Sequence, residues 1–166
     1  MDGRRDINQV EDSLGNSFGN EFSEAVSEQA YLVGFEISRA KLHGHGDPEI
    51  VSVQPLYRTK DGEKQGKGKL YGEKSDDVER AFAPKGYAVG ALRGEAHGEV
   101  SGFELVFMKI KPDGTLDPND LRISPWIGNN AGSPLFSVID GNGQPVTKVS
   151  GSIFMDGLHS LKLEFD

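Results

Sequence analysis

One spacing recurs three times along the chain, and it restricts the possible folds more than any other feature. Ile50, Val53, Pro55 and Tyr57 stand at offsets 0, 3, 5 and 7, as do Val100, Phe103, Leu105 and Phe107, and again Leu158, Leu161, Leu163 and Phe165. Offset 2 is small each time, as Ser52, Gly102 or Ser160, which marks a strand entered through a tight bend before alternation begins. A second apolar run precedes each copy: Leu32-Val33-Gly34-Phe35, Ala88-Val89-Gly90-Ala91 and Val146-Thr147-Lys148-Val149. Each copy therefore reads as a hairpin. A repeated unit that cannot bury its apolar face alone must pack against its siblings, so the expected fold is all-β. Three small antiparallel sheets should meet on a shared core, each completed by further strands.

Turn signals separate the strands at Asp61-Gly62, Pro112-Asp113-Gly114 and Asp140-Gly141-Asn142-Gly143, and no long stretch has helical periodicity. The 22 glycines are about twice the usual share, which suits an antiparallel β fold rich in turns. A chain of 166 residues suits one domain whose core needs no covalent staple. With no cysteine there is no disulfide, redox or thiolate-metal chemistry, and no cofactor is implied. No apolar run approaches the roughly 20 residues of a membrane span, and no apolar stretch follows Arg4-Arg5 to form a signal peptide.

Net charge is -8 and unevenly placed: residues 1–28 carry -5 and residues 29–166 carry -3. The first 28 residues are therefore expected to be an acidic, flexible tail or linker, with a short helix from Asn20 to Glu28 as the lesser reading, and 29–166 to be the folded domain. A nearly neutral body argues against nucleic acid as a partner, which needs a concentrated basic face. Lys60, Lys64, Lys67 and Lys69, interrupted by Asp61 and Glu63, read as the solvated rim of a hairpin.

All four histidines, His43, His45, His97 and His159, fall in or one residue past the loops that precede the repeated strands. Threefold packing would gather those loops at one end. Acidic groups accompany them: Asp47 and Glu49 in the first loop, Glu95 and Glu99 in the second, and Asp156 in the third, within Phe154-Met155-Asp156-Gly157. Three readings remain open. The loops are ordinary exposed turns; or their carboxylates accept sugar hydroxyls, with Phe154, Tyr31 or Trp126 as a flat surface for a pyranose; or His43, His45 and Asp47 hold a metal, in a spacing that matches no established ligand set. Trp126 reads first as sheet cover, and Asp117, Asn119 and Asp120, like Asp140 and Asn142, as turn chemistry rather than calcium loops. No nucleophile elbow, phosphate loop or paired-histidine helix motif is present, so no enzyme is expected.

The closing segment, Val149-Ser150-Gly151-Ser152 followed by Leu158-His159-Ser160-Leu161-Lys162-Leu163, resembles the end of the jacalin-related lectins, where a Gly-containing loop runs into Leu-Asp-Ala-Ile-Gly-Val-Tyr. The likeness extends more weakly over residues 31–166. It implies a jacalin-like β-prism of three antiparallel Greek-key sheets with pseudo-threefold symmetry, and a non-catalytic recognition module with carbohydrate as partner. The candidate ligand-binding residues, taken from the three loops, are His43, His45, Asp47, Glu95, His97, Phe154, Met155, Asp156, Gly157 and His159. Where the family has an aspartate accepting from two sugar hydroxyls, this chain has His159, which offers one donor and one acceptor. Asp156 lies three residues earlier.

Leu32–Glu36, Pro84–Gly90, Gly102–Met108 and Ser124–Gly128 are similar to an uncharacterised accessory domain of large bacterial exported proteins. That likeness implies an exported or periplasmic accessory module. Its alternative function is protein binding or structural support, with no sugar site.

Overall fold

The computed structural model describes residues 8–10, 13–42, 46–129, 136–155 and 157–166, and the regular structure among them is all β. The repeated segments are the return arms of three long hairpins. β4 (Ala30–Ala40) pairs with β5 (Glu49–Thr59), β9 (Tyr87–Ala96) with β10 (Val100–Ile110), and β14 (Val146–Phe154) with β15 (Gly157–Phe165). Each first arm gains an antiparallel neighbour: β8 (Asp77–Phe82) on β4, β13 (Phe136–Asp140) on β9, and β3 (Asn20–Ala25) on β14. Each return arm is edged by short strands. β6 (Gln65–Lys67) and β7 (Tyr71–Gly72) lie on β5, β11 (Leu116–Ile123) and β12 (Ile127–Gly128) on β10, and β2 (Leu14–Gly15) on β15. β1 (Asn8–Val10) runs parallel to β13.

The offsets 0, 3, 5 and 7 have a mechanical cause. Arg39 faces Ile50 while Ser38 faces Ser52, which leaves Val51 as an extra residue; Ser101 and His159 are left over in the same way in the other two hairpins. A one-residue bulge lengthens the first inward interval from two residues to three. Its carbonyl is then claimed from the neighbouring short strand. Glu73 N–H donates to Val51 O at 3.1 Å, Asn129 N–H to Ser101 O at 2.8 Å, and Asn16 N–H to His159 O at 3.1 Å. The residue before each donor is glycine with positive φ, namely Gly72, Gly128 and Gly15. A Cβ on Gly72 or Gly15 would lie 2.1 or 2.0 Å from the bulge oxygen, so no other residue fits there.

Side chains after the bulge turn inward and form the common core. Val53, Phe103, Leu105 and Leu161 are fully buried, and the Phe35 and Phe103 rings meet edge to face at 5.9 Å. At the small offset-2 position the hydroxyls of Ser38 and Ser52 bond each other, as do those of Ser152 and Ser160 at 2.7 Å.

The expected tail is corrected over part of its length. Leu14–Gly15 and Asn20–Ala25 are the strands that complete the third sheet, and Leu14 is fully buried. The helix considered from Asn20 to Glu28 is strand instead, because the free edge of β14 supplies a backbone partner for residues 20–25. Glu24 then reaches across to the first sheet. Its carboxylate accepts from Tyr57 OH at 2.5 Å, Tyr71 OH at 2.7 Å and Lys69 N–H at 3.0 Å, while Phe22 stacks on Tyr71 at 4.2 Å. Residues 1–7 and 11–12 lie outside the described residues.

Candidate functional site

The tips of the three hairpins meet. A Cβ placed on Gly157 would lie 3.4 Å from Glu99 Oε2 and 3.5 Å from Leu42 Cδ1, so the first and second tips both reach the third. Asp47 and His97 are exposed on their respective tips, and His97 N–H closes its short turn on Glu99 O at 2.9 Å. His43, His45 and Asp156 lie outside the described residues, and with them the metal reading of the first loop. Glu95 is corrected. The second loop, expected to hold both Glu95 and Glu99, shortens to residues 97–99 because β9 continues to Ala96, and Glu95 is only 1% exposed opposite Gly102. It is not a carboxylate presented to solvent.

The most developed chemistry surrounds His159. As the bulge residue of β15 it is turned out of the regular alternation, a common use of bulges beside binding sites. Its ring lies edge-on to Phe154 at 5.4 Å and 5.9 Å from Phe18, and Phe18 meets Phe154 edge to face at 4.5 Å. Phe18 is 55% exposed, so one wall of this cluster is an aromatic surface open to solvent. His159 Nδ1 is buried and has no hydrogen-bond partner among the described residues. An unsatisfied buried nitrogen costs roughly 1–3 kcal/mol, which singles the position out.

The segment between β2 and β3 closes over the cluster. Phe18 N–H donates to Asn16 O at 2.8 Å, and a Cβ on Gly19 would strike Ile153 O at 2.4 Å and Phe154 Cβ at 2.6 Å. Met155, at the tip, holds φ +49° and is 70% exposed, while Gly157 is buried beneath it. Phe154, Met155, Gly157 and His159 are therefore together. Asn16 and Phe18 were not expected, and the available clue was the match of Leu14-Gly15-Asn16 to the glycines at 72 and 128.

Two proposed sugar platforms are elsewhere. Tyr31 is buried at the far end of its hairpin with its hydroxyl donating to Gly114 O at 3.0 Å. Trp126 covers the second sheet, donating from Nε1 to Asn129 O at 3.0 Å and meeting Phe136 at 5.9 Å. Asp117 and Asp140 each accept from the N–H two residues on, at 2.9 Å, as turn chemistry requires.

No family model matches the chain, and no curated protein matches it in sequence. Solved structures do match over nearly its whole length. A prostate-specific WGA16 glycoprotein lectin shares 17% identity at TM-score 0.61, covering 93% of this chain and 97% of that one. Artocarpin complexed with Me-alpha-Mannose shares 13% at 0.62 over 93% and 94%, and Calsepa lectin in complex with bisected glycan 11% at 0.62 over 96% and 98%. The fold is the jacalin-like β-prism. At these identities the likeness is one of architecture. Within the β-prism, the Phe18, Phe154 and His159 cluster occupies the end at which the three hairpin tips meet, built from the third sheet and the chain segment that completes it.

Proposed function

We propose that this β-prism is a non-catalytic carbohydrate-recognition module and that its site is the cluster around His159. The observation that carries this reading is the half-buried imidazole of His159, its Nδ1 without a partner among the described residues, set 5.9 Å from the exposed ring of Phe18. A pyranose has an apolar C–H face and a rim of hydroxyls, so it needs a ring to lie on and a few fixed polar partners. Phe18 supplies the surface, and the half-buried imidazole of His159 the polar partner for one hydroxyl. Asn16 and backbone groups of residues 15–19 and 154–157 complete the set, and Asp156 serves as the carboxylate acceptor in place of the one missing at position 159. Asp47 and His97, on the adjoining tips, contribute to longer glycans. The bound sugars named for artocarpin and Calsepa lectin support the ligand class. The sequence likeness of Pro84–Gly90 and Ser124–Gly128 supports a role as an accessory part of a larger bacterial exported protein.

The test is a glycan array read with the whole chain and with His159→Ala and Phe18→Ala. The reading expects binding to a restricted set of glycans and its loss in both variants, with folding checked by thermal melting. Failure to bind across the array, or binding that survives both substitutions, overturns it; recovery of a specific protein partner in the same circumstances would establish the protein-binding alternative.

A further inference from the structure

A cavity of about 290 Å³ lies at the ends of the hairpins away from their tips, between the first and second sheets. Its size is near the lower end for small-molecule sites. Tyr31 and Tyr87 line it, their hydroxyls committed to Gly114 O at 3.0 Å and Asp120 Oδ1 at 2.7 Å, with Lys60 over the Tyr31 ring at 5.4 Å and Arg122 over the Tyr87 ring at 5.0 Å. Val33 and Ile110 add apolar surface.

Cations outnumber acids in the lining of this cavity, while Asp120 holds the Tyr87 hydroxyl and the charge of Asp113 acts on Tyr31 from just outside it. Arg58 is 6% exposed, and its guanidinium donates only to carbonyl oxygens, Ala83 O at 2.8 Å and Pro84 O at 3.2 Å. No carboxylate pairs with it among the described residues. Burial accordingly depresses its pKa. Lys60, Lys85 and Lys109 stand exposed on the rim. Asp61 is the single acid in the lining, and its Oδ1 is occupied by its own turn, accepting from Thr59 Oγ1 at 2.6 Å and Glu63 N–H at 2.9 Å. Arg58, Lys60, Lys85 and Lys109 thus share one cavity in a chain of net charge -8. Arg58 also lies over the Phe82 ring at 4.9 Å, and an anion entering the cavity would add the charge partner that two carbonyls and a ring do not supply.

We propose that this cavity binds a small organic anion, a carboxylate or a phosphate monoester carried on an apolar or ring-shaped body. The body lies between Tyr31 and Tyr87, and the anionic group faces Arg58 and the three lysines. An acidic sugar and an aromatic acid share this chemistry, and probes distinguish them.

The experiment follows backbone amide resonances of the whole chain during titration with glucuronate, benzoate and phenyl phosphate, and with neutral benzyl alcohol. Saturable shifts are expected at residues 31–33, 58–62, 85–87 and 109–110 with at least one anion and not with benzyl alcohol. Response to glucuronate alone assigns an acidic sugar, and response to benzoate or phenyl phosphate an aromatic acid or ester. The exposed pair Lys85→Ala/Lys109→Ala should weaken binding about tenfold or more without unfolding the chain, and raised salt should do likewise. His159→Ala should leave it unchanged, which separates this site from the carbohydrate site. No saturable shift from any anion up to about 10 mM, or undiminished affinity in the lysine variant, overturns the proposal.

Discussion

Replacing Glu24 with alanine tests whether the N-terminal segment is part of the folded body. One carboxylate on β3 holds three donors of the first sheet, Tyr57 OH, Tyr71 OH and Lys69 N–H, at 2.5, 2.7 and 3.0 Å. Hydrogen bonds to a charged group contribute roughly 1.5–3 kcal/mol each when buried, and the half-exposed position of Glu24 reduces that to about 1 kcal/mol each. The substitution should therefore cost about 3 kcal/mol, which for a domain of this size lowers Tm by about 6–12 °C. Calorimetry supplies the number. Double-mutant cycles with Tyr57→Phe and Tyr71→Phe should each return a coupling of about 1 kcal/mol, since the phenylalanines keep the ring contacts and remove only the donors. The two tyrosines also make the clasp sensitive to high pH. Burial first, then the bond and charge of Glu24, raise both phenol pKa values above 10.0, so their contribution is present at neutral pH and is lost as pH rises past the unfolded value. A change in Tm below about 1 °C for Glu24→Ala would refute the clasp, and with it the docking of β3.

Two further outcomes follow from the same geometry. Glu36 is 4% exposed and would be raised by burial, but bonds from Arg80 and Lys74 and the charge of Lys67 hold it down to about 2 from 4.5. Its stabilisation is present above about pH 4.5 and is lost as pH falls through about 2. The cations are half exposed, which limits the effect to about 1–2 kcal/mol; acid titration of stability in Glu36→Gln should show a correspondingly flatter limb, and an identical limb would contradict the assignment. Gly72→Ala forces a Cβ to 2.1 Å from Val51 O, whereas Gly46, with a similar φ of +86°, has nothing within 4 Å. Chemical denaturation should show a loss of about 2 kcal/mol or more at Gly72 and about 1 kcal/mol at Gly46. Equal losses would mean that the bulge does not require the glycine.

The three hairpins were legible because their apolar offsets and turn residues are local: β10 runs over Val100–Ile110, as its residues suggest, and Leu158 to Phe165 lie within β15. The bulge was visible only as an unexplained interval of three, since nothing in Val51, Ser101 or His159 marks them as the residue left out of register. The N-terminal strands were missed for a different reason. Phe18, Phe22 and Val26 have helical spacing, and the alternating position between the last two is Glu24, whose inward charge makes sense only when the tyrosines of a different sheet are in view. Closing the third sheet with residues 14–25 joins the two ends of the chain, a pairing no local pattern encodes. At the site, grouping the hairpin tips followed from threefold packing, but Glu95 was placed in the second loop whereas β9 runs past it to Ala96, and Phe18 belongs to the segment read as a tail.

The most direct measurement of the central claim is an amide-resonance titration of the whole chain with a panel of neutral methyl glycopyranosides. Saturable shifts should appear at residues 15–19 and 154–159 for at least one sugar, and His159→Ala should abolish them while leaving the rest of the spectrum in place. Shifts confined to other surfaces, or none from any sugar in a chain that remains folded, would contradict it.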